Sequence, residues 1–93
     1  MKAKLTERLV KTIIPLQTPY EVVDSEIKGF VLRVQPSGVL TYYLVYRTVN
    51  GTKKRYRLGR HGSITVTQAR DLAKQFSAKT LSGQDLQEEK KEL

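Results

Sequence analysis

The chain has 93 residues, no cysteine, a single histidine and a formal charge of +8. This length fits one domain, which would bury roughly 60–65% of its unfolded surface. The composition excludes a disulfide framework, a thiolate zinc site and a histidine metal cluster, so no cofactor is expected. No apolar run approaches the roughly 18 residues of a membrane span, and the N-terminus lacks the apolar segment of a signal peptide. We therefore expect a soluble intracellular protein with no membrane partner.

The first predicted element is a short helix over residues 5–14, preceded by a mobile basic segment at 1–4. Thr6 is suited to be its N-cap, and Glu7 lies in the first turn, where a carboxylate is favoured by the helix dipole. Pro15 ends the helix, because a proline inside it would remove a backbone hydrogen bond.

Strand-like segments follow the helix. Patterns of apolar and polar residues, bounded by turn residues, predict strands at 20–24, 30–35, 40–48 and 53–58. We expect the first of these strands to lie at an edge of the sheet.

The turn between the last two strands decides which side chains share a face. Asn50-Gly51 admits a two-residue loop, which would place Arg55 and Arg57 on the apolar face with Tyr46. A three-residue loop, with Gly51 in the left-handed region, shifts the register by one and moves both arginines to the opposite face. Burying two unpaired guanidiniums would cost several kcal/mol each, so we predict the three-residue loop.

A second helix is predicted after a loop over 58–62. Thr65 and Gln68 fit a capping box. The helix then runs to about Ser82, with Gly83 just beyond its end. Its apolar stripe matches a helix lying on one sheet face and consists of Val66, Ala69, Leu72, Ala73 and Phe76. Residues 84–93 are highly charged, so we expect the domain to span 1–83 and to be followed by a tail or a linker.

These elements predict an α+β fold. A small antiparallel sheet of three to four strands carries a short N-terminal helix and a longer C-terminal helix, packed on one sheet face. The other face stays open. Positive charge is concentrated in the strand-rich stretch 28–70, which contains nine basic residues and no Asp or Glu. The candidate DNA-binding residues are Arg33, Tyr43, Arg47, Lys53, Arg55, Arg57 and Arg60.

A basic sheet face with an exposed tyrosine is typical of a surface that binds nucleic acid. Lysine and arginine neutralise phosphates, and arginine can also bind guanine O6 and N7 in the major groove, which is about 12 Å wide and admits a sheet. Tyr43 is the tyrosine expected to be exposed, whereas Tyr42 and Tyr46 are expected in the core. His61 is expected to be a surface loop residue, with a phosphate contact as the alternative. No side chains form a catalytic set.

Several short motifs follow one another in a fixed order. They are Leu5-Thr6, Gly29-Phe30-Val31-Leu32-Arg33-Val34, Pro36-Ser37-Gly38, Tyr46-Arg47, Asn50-Gly51 followed by basic residues, Leu58-Gly59-Arg60 and Ala69-Arg70. Together they resemble the N-terminal arm-type DNA-binding domain of prophage integrases, which are tyrosine recombinases. The resemblance runs from Leu5 to about Asp85. The chain departs from the family pattern at Tyr42, where Trp is usual, at His61-Gly62, where an aromatic-Pro pair is usual, and at Asp85-Leu86, where Asp-Pro is usual.

The resemblance implies that the sheet inserts into the major groove of arm-type sites and supports integration and excision by a parent recombinase. In that family, a separate domain with a His-x-x-Arg motif and a nucleophilic tyrosine exchanges the strands. Ile64 stands here where the arginine would follow His61. The chain is therefore expected to be a non-catalytic excerpt that binds DNA without cutting it. Its expected partners are duplex DNA, the parent's core domains and other integrase protomers, in the bacterial cytoplasm and on the nucleoid when bound. The isolated domain is expected to be a monomer.

Two other functions fit the same elements. A helix, an antiparallel sheet and a second helix also describe a double-stranded RNA-binding domain, which binds through helices and loops. The basic face could instead bind an acidic protein. Competition between duplex DNA, duplex RNA and an acidic polymer distinguishes the three.

Overall fold

The computed structural model describes residues 2–81, which form a five-stranded mixed sheet and two helices. The elements in chain order are β1 (Lys2–Ala3), α1 (Glu7–Thr12), β2 (Tyr20–Asp24), β3 (Phe30–Val34), β4 (Leu40–Arg47), β5 (Lys53–Arg60) and α2 (Val66–Leu81). The strands follow one another across the sheet in sequence order. The α+β class is confirmed, and the sheet has more strands than the three to four predicted.

The additional strand comes from the segment that was expected to be mobile. Lys2 and Ala3 pair in parallel with Val23 and Asp24, and the Ser25 N–H donates to the Ala3 carbonyl at 3.1 Å. The expectation that β2 lies at the sheet edge is therefore wrong, since β1 occupies that edge. Two residues are too few for an alternating pattern, so the sequence alone gave no sign of this strand.

Both predicted helix N-caps are confirmed, although α1 is shorter than the predicted 5–14. The Leu9 N–H donates to the Thr6 hydroxyl at 3.2 Å, so Thr6 caps α1. At α2, the Gln68 N–H donates to the Thr65 hydroxyl at 3.1 Å and the Thr65 N–H donates to the Gln68 side chain at 2.9 Å. This reciprocal pair is the predicted capping box. The predicted helix end at Ser82 and the charged tail at 84–93 lie outside the described residues.

The β4–β5 hairpin has the predicted three-residue loop. The Thr48 N–H donates to the Thr52 carbonyl at 2.9 Å, and the Gly51 N–H donates to the Thr48 carbonyl at 2.9 Å. Gly51 has a φ of 84°, which glycine adopts without steric cost. Tyr46 pairs with Lys54, the register that this loop requires.

The predicted loop over 58–62 is partly wrong, because β5 continues to Arg60. Tyr43 pairs with Arg57, while Tyr42 pairs with Gly59 and not with Leu58. This β-bulge gives β5 one residue more than β4 along the pair. As a result Arg60, opposite Thr41, returns to the same side of the sheet as Arg57.

The hydrophobic core lies between α2 and one face of the sheet, and α1 also contributes to it. Its largest buried side chains are Tyr42, Phe30, Leu5, Leu32, Leu44, Val22 and Val34. The predicted stripe of α2 meets them through Val66, Ala69 and Ala73, which are buried, while Leu72 and Phe76 are half-buried. Phe76 stacks on Tyr56 with the ring centroids 5.0 Å apart.

A buried carboxylate joins the two ends of the domain. Asp24 Oδ1 accepts from the Leu5 N–H at 2.8 Å and from Arg70 Nη1 at 2.7 Å. Its Oδ2 accepts from the N–H groups of Glu26 and Ile27. Burial alone would raise the pKa of Asp24, but the Ile27 and Leu5 N–H donors and the Arg70 guanidinium together lower that pKa below its ordinary value.

We predict that Asp24→Ala lowers the free energy of unfolding by about 3–5 kcal/mol, because it leaves Arg70 without its buried partner. The pKa of Asp24 is lower when folded than when unfolded, so its stabilisation is complete above the unfolded pKa and is lost as the pH falls through the folded one. The gap between wild type and variant should therefore narrow below about pH 4. Urea unfolding followed by circular dichroism measures both effects.

The matched control is Glu26→Ala. Glu26 binds the same Arg70 at 2.7 Å but its side chain is 53% exposed, so its loss should cost less than about 1 kcal/mol. Equal losses for the two variants would contradict the role assigned to Asp24.

Candidate nucleic-acid interface

One face of the sheet is turned away from α2, and we call it the open face. Val22, Leu32 and Leu44 are buried on the α2 side, and side chains alternate between the two sides along each strand. The strand register places these residues on the open face: Glu21, Val23, Val31, Arg33, Thr41, Tyr43, Val45, Arg47, Lys53, Arg55, Arg57 and Arg60.

All seven predicted site residues therefore lie on one side of the sheet. The side chains that are exposed belong to Arg47, Lys53, Arg55, Arg57 and Arg60, while Arg33 and Tyr43 are half-buried. Arg60 was predicted in a loop, and the bulge in β5 is what brings it to this side. The result is a cationic strip along β4 and β5.

The expectation that acids are missing from this face is wrong. Glu21 on β2 pairs in register with Arg33 on β3, so both point to the open side. Val31, also on this side, is only 4% exposed; its neighbours across the strands are Val23 and Tyr43. The open face thus has an apolar centre with a carboxylate beside it. The charge pattern of 28–70 could not reveal this, because β2 precedes that stretch.

Glu21 binds two of the predicted site residues. Arg55 donates from Nη2 to Glu21 Oε1 at 2.9 Å and from Nη1 to Oε2. Arg33 Nη1 lies 3.5 Å from Glu21 Oε2. To reach Glu21, the Arg55 side chain crosses Tyr43, with its guanidinium carbon 5.8 Å from the ring centroid. The hydrogen bond from Arg55 is the main reason why the pKa of Glu21 is lowered, and the same bond raises the pKa of Arg55.

Some basic residues of the 28–70 stretch do not reach the open face. The Arg70 side chain is 14% exposed and is bound to Asp24 and Glu26, so its charge stabilises the fold. Lys54 pairs with Tyr46 and therefore lies on the α2 side. The open face therefore carries fewer positive charges than the nine basic residues counted in the 28–70 stretch.

Sequence reasoning also missed Lys28. A cleft of about 400 Å³ opens beside the start of β3 and the end of β4, and its lining includes Lys28, Arg47 and Lys53 together with Ser77 and Thr80 of α2. Gly29 makes the close approach here: a Cβ on it would lie 2.2 Å from the Val45 carbonyl oxygen. Lys28 belongs to the basic stretch, but the direction of a side chain in a turn could not be predicted from periodicity.

His61 is less exposed than expected of a surface loop residue, and its phosphate contact stays a prediction. It is half-buried, and its Nδ1 lies 2.8 Å from the Tyr42 hydroxyl. Burial raises the pKa of Tyr42, and the nearby Glu7 acts in the same direction. The pair therefore links the loop after β5 to the core. Tyr42, Tyr46 and Tyr43 lie on the faces that were predicted for them.

Other kinds of site find little support in residues 2–81. No group of three or more His, Asp or Glu side chains in this range could hold a metal ion. No helix of this part of the chain is long and apolar enough to cross a membrane.

Comparison with known proteins gives a family. A family model described as "Arm DNA-binding domain" matches residues 5–93, and this is an arm-type DNA-binding domain found in phage integrases. The matched range includes β2, β3, β4 and β5. No curated protein matches the chain.

We predict that the two sides of β4 and β5 respond differently to truncation. Arg57→Ala, at an exposed position, should change the free energy of unfolding by less than about 0.5 kcal/mol. Tyr46→Ala, at a side chain that is 6% exposed, should cost about 3–5 kcal/mol, as for other large aromatic core residues. Thermal and urea unfolding of the two variants measure the difference. The reverse order would mean that the hairpin register is the two-residue one.

Proposed function

We propose that this chain, which belongs to the Arm DNA-binding domain family, binds arm-type sites in duplex DNA through its open face. The family is one of non-catalytic DNA-binding domains of integrases. The face and the kind of site are what the proposal adds.

The observation that carries the proposal is that all seven candidate residues lie on the same side of the sheet. They come from three strands, and the three-residue loop and the bulge in β5 are both needed to align them. A two-residue loop would have turned Arg55 and Arg57 toward the core. Two irregularities of the backbone therefore serve the same face, which supports a function for that face.

The β4–β5 hairpin suits the major groove, because the groove is about 12 Å wide and admits a two-stranded ribbon. In this arrangement the β4–β5 ribbon lies in the groove. Arg47, Lys53 and Arg60, toward the ends of the ribbon, bind phosphates on its walls. Arg57 and Tyr43, which pair at its centre, face the base edges.

The larger context follows from the family. We propose that residues 1–83 are the DNA-binding domain of a prophage tyrosine recombinase and that 84–93 lead toward its core-binding and catalytic domains. The parent enzyme then performs integration and excision, while this domain holds it on arm-type sites. Its other partners would be further integrase protomers. Linking several such domains raises the effective affinity of each by multivalency.

The alternative of an RNA-binding module is weaker. Double-stranded RNA-binding domains use loops and a basic start of the second helix. The first residues of α2 here are Val66, Thr67 and Gln68, and the first basic residue, Arg70, is bound to Asp24. The charge lies on strands, where a duplex RNA-binding domain does not need it.

We predict that binding to duplex DNA is steeply salt-dependent. If about four to six phosphates are neutralised, log K should fall with log salt at a slope near −4 to −5. Fluorescence anisotropy with a labelled duplex of mixed sequence measures the slope, with duplex RNA and an acidic polymer as competitors. A nearly constant affinity across salt, or competition by duplex RNA and the acidic polymer equal to that of unlabelled duplex DNA, would overturn the proposal.

Single variants extend this test to the proposed face. Arg47→Ala should weaken binding to all duplexes evenly and reduce the salt slope by about one, as for a phosphate contact. Arg57→Ala should cost about 1–3 kcal/mol and relax the preference at one base position. The control is Lys74→Ala, which removes the same charge from the exposed side of α2. A control that weakened binding as much as Arg47→Ala would assign DNA binding to net charge.

A further inference from the structure

The ion pairs on the open face occupy its two innermost arginines. Both terminal nitrogens of Arg55 donate to Glu21, one to each carboxylate oxygen. The Arg33 guanidinium adds an ion pair at 3.5 Å to the same carboxylate. The two terminal nitrogens of Arg55 could bind a phosphate or a guanine through two hydrogen bonds, but Glu21 already binds both of them.

The surroundings favour this arrangement. The Glu21 side chain is 23% exposed, less than those of Arg55 at 43% and Arg33 at 33%. The Arg55 guanidinium also lies over the Tyr43 ring, and an aromatic face attracts a cation. Arg55 is therefore restrained parallel to the sheet, whereas a phosphate contact requires a side chain that can follow the backbone of the DNA.

A carboxylate on this face also acts on DNA directly. It repels the phosphate backbone of any duplex, whatever the sequence. The repulsion is offset where an amino group of a base can donate to it, as cytosine N4 does in the major groove. Phosphate contacts carry no sequence information, whereas contacts to base edges do. A carboxylate that weakens phosphate contacts but accepts a hydrogen bond from a base therefore increases the discrimination between DNA sequences.

We infer that Glu21 is a specificity-determining residue of the open face, an inference that rests on the proposed DNA-binding function. It withholds Arg55 and Arg33 from the phosphates of arbitrary duplex DNA, and its own repulsion is compensated only where a base amino group meets it. Glu21 thereby lowers the affinity for non-specific DNA more than the affinity for the preferred site. Of the described acidic side chains, it is the one that the strand register places among the candidate residues.

The test uses the full 93-residue chain and two labelled duplexes of equal length. One has mixed sequence, and the other is enriched by in vitro selection on the wild-type chain. Glu21→Gln keeps the shape and removes the charge. It should bind the mixed duplex about five- to tenfold more tightly and steepen its salt slope by about one to two, because released arginines reach phosphates. The affinity for the selected duplex divided by the affinity for the mixed duplex should fall at least about fivefold.

Two further variants separate the contact from the charge. Asp71→Asn removes one negative charge from an exposed position on α2, and it should leave the affinity ratio as it is in wild type. Glu21→Asp keeps the charge but is one methylene shorter, so its contact with Arg55 should be lost. It should give a ratio between those of wild type and Glu21→Gln. Circular dichroism melts establish that each variant is folded.

The outcomes distinguish the two proposals. If wild type shows no salt-dependent binding to either duplex, the proposed function itself fails. If wild type binds but Glu21→Gln leaves the ratio unchanged, or weakens both duplexes equally, the ion pair is structural and the inference is overturned. An equal gain of affinity for Asp71→Asn would likewise assign the effect to net charge.

Discussion

The rest of the domain depends on the buried carboxylate of Asp24. Its side chain has no exposed surface and binds the segment before α1, the turn after β2 and, through Arg70, the helix α2. A buried charge is tolerated only when it is fully hydrogen-bonded and paired. Within residues 2–81, no buried side-chain nitrogen or oxygen lacks a partner. This one site therefore ties both the segment before α1 and the helix α2 to β2.

The packing of both helices on one face of the sheet is what creates the open face. With α2 held by Arg70, its small residues Ala69 and Ala73 approach the sheet closely and bury Tyr42 and Leu44. The opposite side of the same strands is then left without a covering layer. Each strand thus has one side committed to stability and one side free to vary with function. The charge of Arg70 belongs to the first side, and the charges of Arg47, Lys53, Arg55, Arg57 and Arg60 belong to the second.

Local features of the fold could be predicted from the sequence, and long-range ones could not. The Thr6 cap, the capping box at Thr65 and the hairpin at Gly51 depend on residues a few positions apart, so their patterns are visible in the chain. The hairpin register also followed, because placing Arg55 and Arg57 in the core has a large cost. The sequence did not predict β1, the bulge in β5, or the ion pairs Glu21–Arg55 and Asp24–Arg70. The partners in these two ion pairs are 34 and 46 residues apart, and no periodicity encodes contacts over such separations.

The candidate site shows the same difference between local features, which the sequence predicts, and long-range contacts, which it does not. The sequence named the cations that β3, β4 and β5 bring to the open face, but it treated these cations as a sum. In the structure, two of the arginines share one carboxylate at the apolar centre of the face, while Arg47, Lys53 and Arg60 lie nearer its margins. Phosphates line the walls of a groove and base edges form its floor. A face whose charge is strong at the margins and balanced at the centre separates these two tasks. In the proposed binding mode, attraction to DNA comes from the margins, and discrimination comes from the centre, where Arg55 is already held by Glu21.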